Sequence, residues 1–404
     1  MIDLGAVQAA EKRIQGAVIR TPLVFSPTIS RLFGADLYFK LENLQRTGSF
    51  KIRGAENKIR ARAADIGPAG VVAASAGNHA QGVALAAKSA GFPATIVMPE
   101  WASISKQEAT RAYGGEVVPA GRSVGESLDK AKELAAEGRA FIHPFDDPDI
   151  IAGQGTIGLE VLAELADADM ILVPIGGGGL ISGVAAAVKS LRPQTKIIGI
   201  QAAACPAARE SVKRGKRIQT PASQSIADGI TVKQIGERNF ELIQRFVDDI
   251  VVVEEEQIAA AILMLLERKK ILAEGAGAVP LAALLNGAVV PAAGKKTVLI
   301  ISGGNVDSPL LGRIIRKGLL KNGRIMRLKI NLSDVPGALS KLLRQVARLK
   351  ANVLHIFHDR DVRDLPIHMT YVELELETRG PDHIEAVKSA LTEAGYPLEA
   401  ECYP

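Results

Sequence analysis

Met170-Ile171-Leu172-Val173-Pro174-Ile175-Gly176-Gly177-Gly178-Gly179-Leu180-Ile181-Ser182-Gly183-Val184-Ala185-Ala186-Ala187-Val188 packs three kinds of local structure into nineteen residues. The apolar block up to Ile175 has the length and flanks of a buried parallel strand. Leu180 to Val188 reads as helix. In a strand, glycine, helix sequence, backbone N–H groups and a helix N-terminus converge on an anion, because glycine allows close approach and positive φ. A phosphate suits such a cradle; the bland alternative is a tight turn that needs small residues.

The type of phosphate follows from what surrounds the run. A dinucleotide fingerprint asks for G-x-G-x-x-G and an acidic residue about 20 positions on. Ile181 and Ser182 stand where the third glycine falls for frames starting at Gly176 and Gly177, and the next strand, Lys196 to Ile200, ends at Gln201. The chain has no G-x-x-x-x-G-K-[ST] pattern. A compact monophosphate therefore fits better than NAD or ATP.

The 404 residues, 47% of them hydrophobic, allow two or three domains with their own cores. No segment has the uninterrupted apolar length of a membrane span. Met1-Ile2-Asp3-Leu4-Gly5 lacks a basic region ahead of an apolar one, so the expectation is a cytoplasmic protein without a secretory signal. Two cysteines, Cys205 and Cys402, cannot build a disulfide framework, and no C-x-x-C points to zinc. A net charge of +5 with 4% aromatic residues gives nucleic-acid binding little support.

Upstream, residues 3 to 18 read as an amphipathic helix and Leu37 to Glu42 as a half-buried strand. It leads into Thr47-Gly48-Ser49-Phe50-Lys51-Ile52-Arg53-Gly54-Ala55. A lysine between Phe50 and Ile52 is either snorkelling at a helix start or partly desolvated, in which case a lowered pKa suits Schiff-base chemistry. From 71 to 145 the pattern is βα units, with strands near Val71 to Ser75, Ala94 to Met98, Glu116 to Pro119 and Phe141 to Pro144. The first of their turns, Ser75-Ala76-Gly77-Asn78-His79-Ala80-Gln81-Gly82, exposes N–H groups that suit a carboxylate, although capping alone explains Ser75 and Asn78.

A second α/β block spans about 150 to 318. It contains the glycine run, a helix from Glu256 to Lys269, a turn at Glu274-Gly275-Ala276-Gly277-Ala278, and a strand from Thr297 to Ile301. Ser302-Gly303-Gly304-Asn305 then lies at a strand's carboxyl end, where ligands collect in open α/β sheets. Ser302 as a plain helix cap is the alternative. Beyond Lys321-Asn322-Gly323 the style changes. Strands at Arg327 to Leu332, Asn352 to Phe357 and Tyr371 to Glu377, helices around Leu339 to Leu349 and Asp382 to Ala394, and a short last strand give βαββαβ, a ferredoxin-like domain. His355, His358 and Asp359 are read there as polar strand residues rather than metal ligands.

Taken in order, SFKIRGA, SAGNHAQG, the GGGG loop and SGGN resemble the fold-type II pyridoxal-phosphate enzymes, most closely the threonine ammonia-lyases, over roughly residues 1 to 318. The tail from 326, with Asp334-Val335-Pro336-Gly337-Ala338-Leu339, is similar to an ACT amino-acid-sensing domain. The resemblance implies an α/β fold of two open parallel-sheet domains like the tryptophan synthase β chain, with a catalytic part at 1–321, a smaller subdomain inserted at about 52–147, and an ACT domain at 326–404. It also implies pyridoxal 5'-phosphate as cofactor. Lys51 would carry the cofactor through its amine and act as general base, with Phe50 against the ring, Asn78 on the ring hydroxyl, Ser302 at the ring nitrogen and Glu274 nearby. Gly176, Gly177, Gly178, Gly179 and Leu180 would hold the phosphate. Ser75, Ala76, Gly77, Asn78 and His79 would hold the substrate carboxylate, with Phe145, near Gly153-Gln154-Gly155-Thr156, shaping the side-chain pocket.

The implied reaction is deamination of L-threonine to 2-oxobutanoate, and of L-serine to pyruvate. The implied effector is isoleucine or valine, at Asp334, Gly337, Ala338, Leu339 and Asn352 between the subunits of a homodimer or homotetramer. A serine racemase of the same fold is the near alternative, but such racemases carry a second serine where this chain has Ala76. Their divalent-metal site would fall at Gln201, Cys205 and Ala207, residue types that predict no metal. A non-catalytic amino-acid sensor and an NAD oxidoreductase are the more distant alternatives.

Overall fold

The computed structural model describes residues 2–363 and 365–398; Cys402 lies outside them. The chain divides into two compact units, at residues 1–307 and from residue 308 onward. The helix Ser308–Lys321, grouped by its sequence with the catalytic block, thus belongs to the C-terminal unit.

The first unit holds two sheets. The larger runs Leu23–Phe25, Asp36–Leu41, Lys296–Ile301, Met170–Pro174, Lys196–Ala202, Asp249–Val253, parallel except at the first pair. The smaller runs Gly115–Pro119, Ala94–Met98, Val71–Ala74, Ala140–Phe141, all parallel. In the large sheet the strands Asp36–Leu41, Lys296–Ile301 and Met170–Pro174 are neighbours, so the Lys51 segment, Ser302 and the glycine run leave from adjacent carboxyl ends. These are stretches about 125 residues apart in sequence.

The helix Pro148–Glu164 is capped by Asp147 and buried along most of its length. Glycines on it and on the helix Gly179–Leu191 let two other helices close on it. A Cβ at Gly153 would fall 2.6 Å from the Arg53 carbonyl, and one at Gly183 would fall 2.2 Å from the Ile151 carbonyl. Inside this packing Arg53 bonds Glu42 and Glu160, and Lys40 bonds Glu160 at 2.5 Å, all four side chains being buried. Two cations against two anions leave no net charge, and burial alone would push Glu42 up, but the Arg53 guanidinium holds its carboxyl below the usual range.

Several boundaries shift for local reasons. The first helix spans Leu4–Ile14, capped by Asp3, and stops short of residue 18 because Gly16 takes φ +78°. The strand expected to reach Pro144 is only Ala140–Phe141, since His143 Nδ1 accepts from the Phe145 and Asp146 amides and folds the chain into a turn. The helix begun at Glu255 stays α-helical to Met264, then continues as a π turn over Leu265–Lys269.

The second unit has antiparallel strands in the order Ile325–Ser333, Met369–Glu377, Asn352–Asp359, with helices Ala338–Arg348 and Pro381–Glu393. The last expected strand is a single bridge from Leu398 to Ile330 among the described residues. Val372, Leu374 and Leu376 face the core as their alternation requires. The opposite face is not uniformly wet. Glu375 is buried there, paired with Arg316 of the helix Ser308–Lys321 and with Arg327 at 3.0 Å. Among the described residues no helix is long and apolar enough to cross a membrane, and no cluster of three or more His, Cys, Asp or Glu could hold a metal.

Candidate active site

After Leu41 the chain makes one 3-10 turn, Glu42–Leu44, and then zips onto the loop that follows Ile301. Phe50 N donates to the Ser302 carbonyl at 3.0 Å, Gly304 N to the Gly48 carbonyl at 2.9 Å, and Ser49 bridges Gly303. Gly48 takes φ +70°, and a Cβ there would lie 2.3 Å from Asn305 Oδ1. The helix Lys51–Ala61 starts at the end of this zipper, which fixes Lys51 relative to Ser302.

The Lys51 amine donates to the Pro144 carbonyl at 2.9 Å and lies 5.3 Å from the centre of the Phe50 ring. Burial lowers its pKa from 10.5 to about 8, with the Glu274 charge pulling the other way. Glu274 precedes the helix Gly275–Leu285 without capping it through its side chain, and its own N–H donates to the Gly303 carbonyl. Burial, then the charge of Asp228, push its carboxyl from 4.5 up to about 8, against opposition from Asn78, Lys106 and Lys51. Asn78 Nδ2 donates to Glu274 Oε1 at 2.7 Å. Ser302 is buried at the end of its strand, and its hydroxyl has no hydrogen-bond partner among the described residues.

The glycine run follows the neighbouring strand Met170–Pro174. Gly178 takes φ +99° before the helix Gly179–Leu191. The Gly177 carbonyl is held by Asn239 Nδ2 at 3.0 Å and by the Gly236 N–H, while the N–H groups of Gly176, Gly177, Gly178, Gly179 and Leu180 meet no acceptor among the described residues. Phe145 sits on this loop: a Cβ at Gly177 would fall 2.3 Å from its ring. At the end of the strand Val71–Ala74, Ser75 Oγ accepts from Gly77 N at 3.2 Å. The N–H groups of Ala76, Asn78 and His79 find no acceptor among the described residues. The His79 ring donates from Nε2 to the Ile142 carbonyl at 3.0 Å, and burial, then Lys51, hold its pKa at about 3. His79 therefore offers its backbone to the site and no titrating group.

A half-buried amine, an unpartnered hydroxyl and a row of free amides thus stand at the carboxyl ends of neighbouring strands. Residues 14–303 match the pyridoxal-phosphate dependent enzyme family. This chain belongs to that family. It is 50% identical to an L-threonine ammonia-lyase of Geobacter sulfurreducens and 48% identical to one of Thermotoga maritima, each over 397 residues, 98% of both chains. The structure of maize serine racemase superposes with a TM-score of 0.74 at 38% identity, covering 79% of this chain and 98% of that one. The donor set suits the pyridoxal-phosphate family's cofactor: a primary amine for an aldehyde, a neutral hydroxyl for a ring nitrogen, and converging amides for a phosphate.

Sequence reading missed four contributors. Asn239 staples the glycine run, Asn305 ties the loops, Pro144 supplies the carbonyl to Lys51, and Lys106 pairs with Asp228 at 3.1 Å and Asp307 at 3.6 Å. A backbone carbonyl leaves no trace in composition, and only Asn305 lies in a motif. In the C-terminal unit Asp334, Gly337, Ala338 and Leu339 gather at the entry to the helix Ala338–Arg348, where Arg360 bonds Asp334 at 3.0 Å. Asn352 is not with them. It pairs with Glu377 while Ser333 pairs with Met369, which puts it at the other end of the sheet, about 27 Å along the strands. A ligand touching both groups would have to draw them from two chains.

Proposed function

We propose that this chain is a threonine ammonia-lyase, which removes water from L-threonine to give 2-oxobutanoate and ammonia, and treats L-serine likewise to give pyruvate. The supporting observation is the Lys51 amine, brought to about 8 near Glu274, which holds Asn78, and next to Phe50, whose N–H is bonded to Ser302, in a chain aligned over nearly its whole length with threonine ammonia-lyases. In this reading Lys51 binds the pyridoxal 5'-phosphate aldehyde, with Phe50 along the ring, Asn78 at the ring hydroxyl and Ser302 at the ring nitrogen. The Gly176 to Leu180 amides would hold the phosphate. When bound, the cofactor supplies a sink for the electron pair left at Cα.

The protein's own part is positional and acid–base. The amides of Ala76, Asn78 and His79 would hold the substrate carboxylate and so turn Cα toward Lys51. A lysine near 8 is partly neutral at physiological pH and takes the Cα proton as general base. Ser302 carries no charge and does not stabilise a positive ring nitrogen as a carboxylate would, which favours loss of the β-hydroxyl over reprotonation at Cα. Ala76 offers no hydroxyl to return a proton from the opposite face.

With pyridoxal phosphate supplied, the purified protein is expected to release one 2-oxobutanoate and one ammonia per L-threonine. Accumulation of D-serine from L-serine without keto acid would replace this reading with the racemase one. The reading extends to an ACT-type C-terminal domain that senses isoleucine or valine, and to a cytoplasmic homo-oligomer. The left-handed Gly337 at a helix entry, and the unpartnered amides of Gly337 and Leu339 among the described residues, support an amino-acid carboxylate there.

A further inference from the structure

Asn305 Nδ2 lies 2.8 Å from the Thr47 carbonyl and 2.7 Å from Asn78 Oδ1, with Gln81 Oε1 at 3.5 Å. The residue is exposed, so packing does not force these contacts. A backbone carbonyl only accepts, so the Asn305 atom facing Thr47 must be its amide nitrogen. The Asn78 atom that meets the same nitrogen must then be an oxygen. Asn78 is left with its own NH2 group on the far side, 2.7 Å from Glu274 Oε1. One of its two hydrogens goes to Glu274; the other has no acceptor among the described residues.

The two ends of an asparagine amide have nearly the same shape, and its hydrogen-bond partners decide which end points where. We propose that Asn305 is a positioning residue: anchored on the Thr47 carbonyl, it holds Asn78 with its NH2 group turned into the site, so that Asn78 presents a donor, not an acceptor, to the cofactor's ring oxygen. The inference rests on the reading that Asn78 meets that oxygen. It gives the Asn305 position of the SGGN loop a task distinct from that of Ser302. It also explains the close approach of Gly48 to Asn305 Oδ1, where a side chain at 48 would displace the anchor.

The test uses the full-length holoenzyme and two readouts besides turnover: the absorbance maximum of the bound cofactor and its dissociation constant from fluorescence titration. Asn305→Leu removes the donor and Asn305→Asp replaces it with an acceptor of the same shape, so one remains if the other misfolds. Either is expected to move the band in the direction seen for Asn78→Ala and to weaken cofactor binding about tenfold, the scale of one lost hydrogen bond. In the Asn78→Ala background, Asn305→Leu is expected to add less than about twofold, because it acts through Asn78. A folded Asn305 variant with the native band and affinity, or effects that multiply in the double variant, would overturn the proposal. If Asn78→Ala alone left both readouts native, the ring-oxygen reading itself would fall, a different result from the other two.

Discussion

Glu274 combines a buried carboxyl, a neighbouring acid and a neighbouring amine, and the balance fixes the sign of its pH effect. Its folded value of about 8 lies above the ordinary 4.5, so its stabilising effect is full below 4.5 and is lost as pH rises through about 8. Glu274→Gln keeps the shape and removes the titration. In the apoprotein, the melting temperature of this variant is expected to gain on the native one between pH 4.5 and 8.5. A gap that stays constant with pH would contradict the shift. Lys51 acts in the adjoining window: its amine is depressed to about 8, so the charged form opposes folding and stability recovers from about 8 up to 10.5. At this scale Lys51, Asn78 and Ser302 were singled out by the sequence because each lies in a short motif at a strand or helix end. Asn239 was not, because holding a glycine carbonyl requires only an amide at the right point in space.

The elements that carry the site are set by close backbone approach. Gly183 on the helix Gly179–Leu191 meets Ile151 and Gly155 of the helix Pro148–Glu164, where a Cβ would lie 2.2 Å from a carbonyl and 2.6 Å from an amide nitrogen, neither of which can swing away. Gly183→Ala is expected to destabilise the first unit by about 1 to 3 kcal/mol, the cost of overpacking a tight core. By contrast Gly312, exposed in the helix Ser308–Lys321 with nothing within 4 Å, should gain up to about 1 kcal/mol on becoming Ala. Thermal melts of both variants check the pair; a neutral Gly183→Ala would mean that the helices can part without loss. Most central strands of the first unit were legible because apolar runs bounded by glycine and proline have few other readings, but the edge strands Leu23–Phe25 and Asp249–Val253 were not. The end of the helix at Ile14 and the π turn at Leu265–Lys269 were not, since each depends on a backbone conformation that several sequences could adopt.

For the whole molecule, the chain divides at residues 307 and 308, and maize serine racemase covers 79% of this chain at nearly its own full length, which leaves the rest of this chain outside what the two share. A chain ending at Asp307 is therefore expected to keep deaminating threonine and to lose any response to isoleucine or valine. Should an effector act on the full chain, linkage requires it to change threonine affinity reciprocally, by about 1 to 3 kcal/mol in typical cases. Calorimetry and kinetics on both chains check this; an effector response that survives truncation would make the C-terminal unit an assembly module. Chain order and the change of style after Gly323 exposed the second unit in the sequence. Its boundary did not show, because the helix Ser308–Lys321 joins it through Arg316 and Glu375, a pairing between distant residues.

The central claim is that one amine both binds the cofactor and moves the substrate proton. It is tested most directly by recording, on native protein and Lys51→Ala supplied with pyridoxal phosphate, the absorbance of the amine-linked cofactor together with 2-oxobutanoate released from L-threonine. The account predicts that the native protein shows both and the variant neither. Threonine turnover at the native rate by folded Lys51→Ala would contradict it.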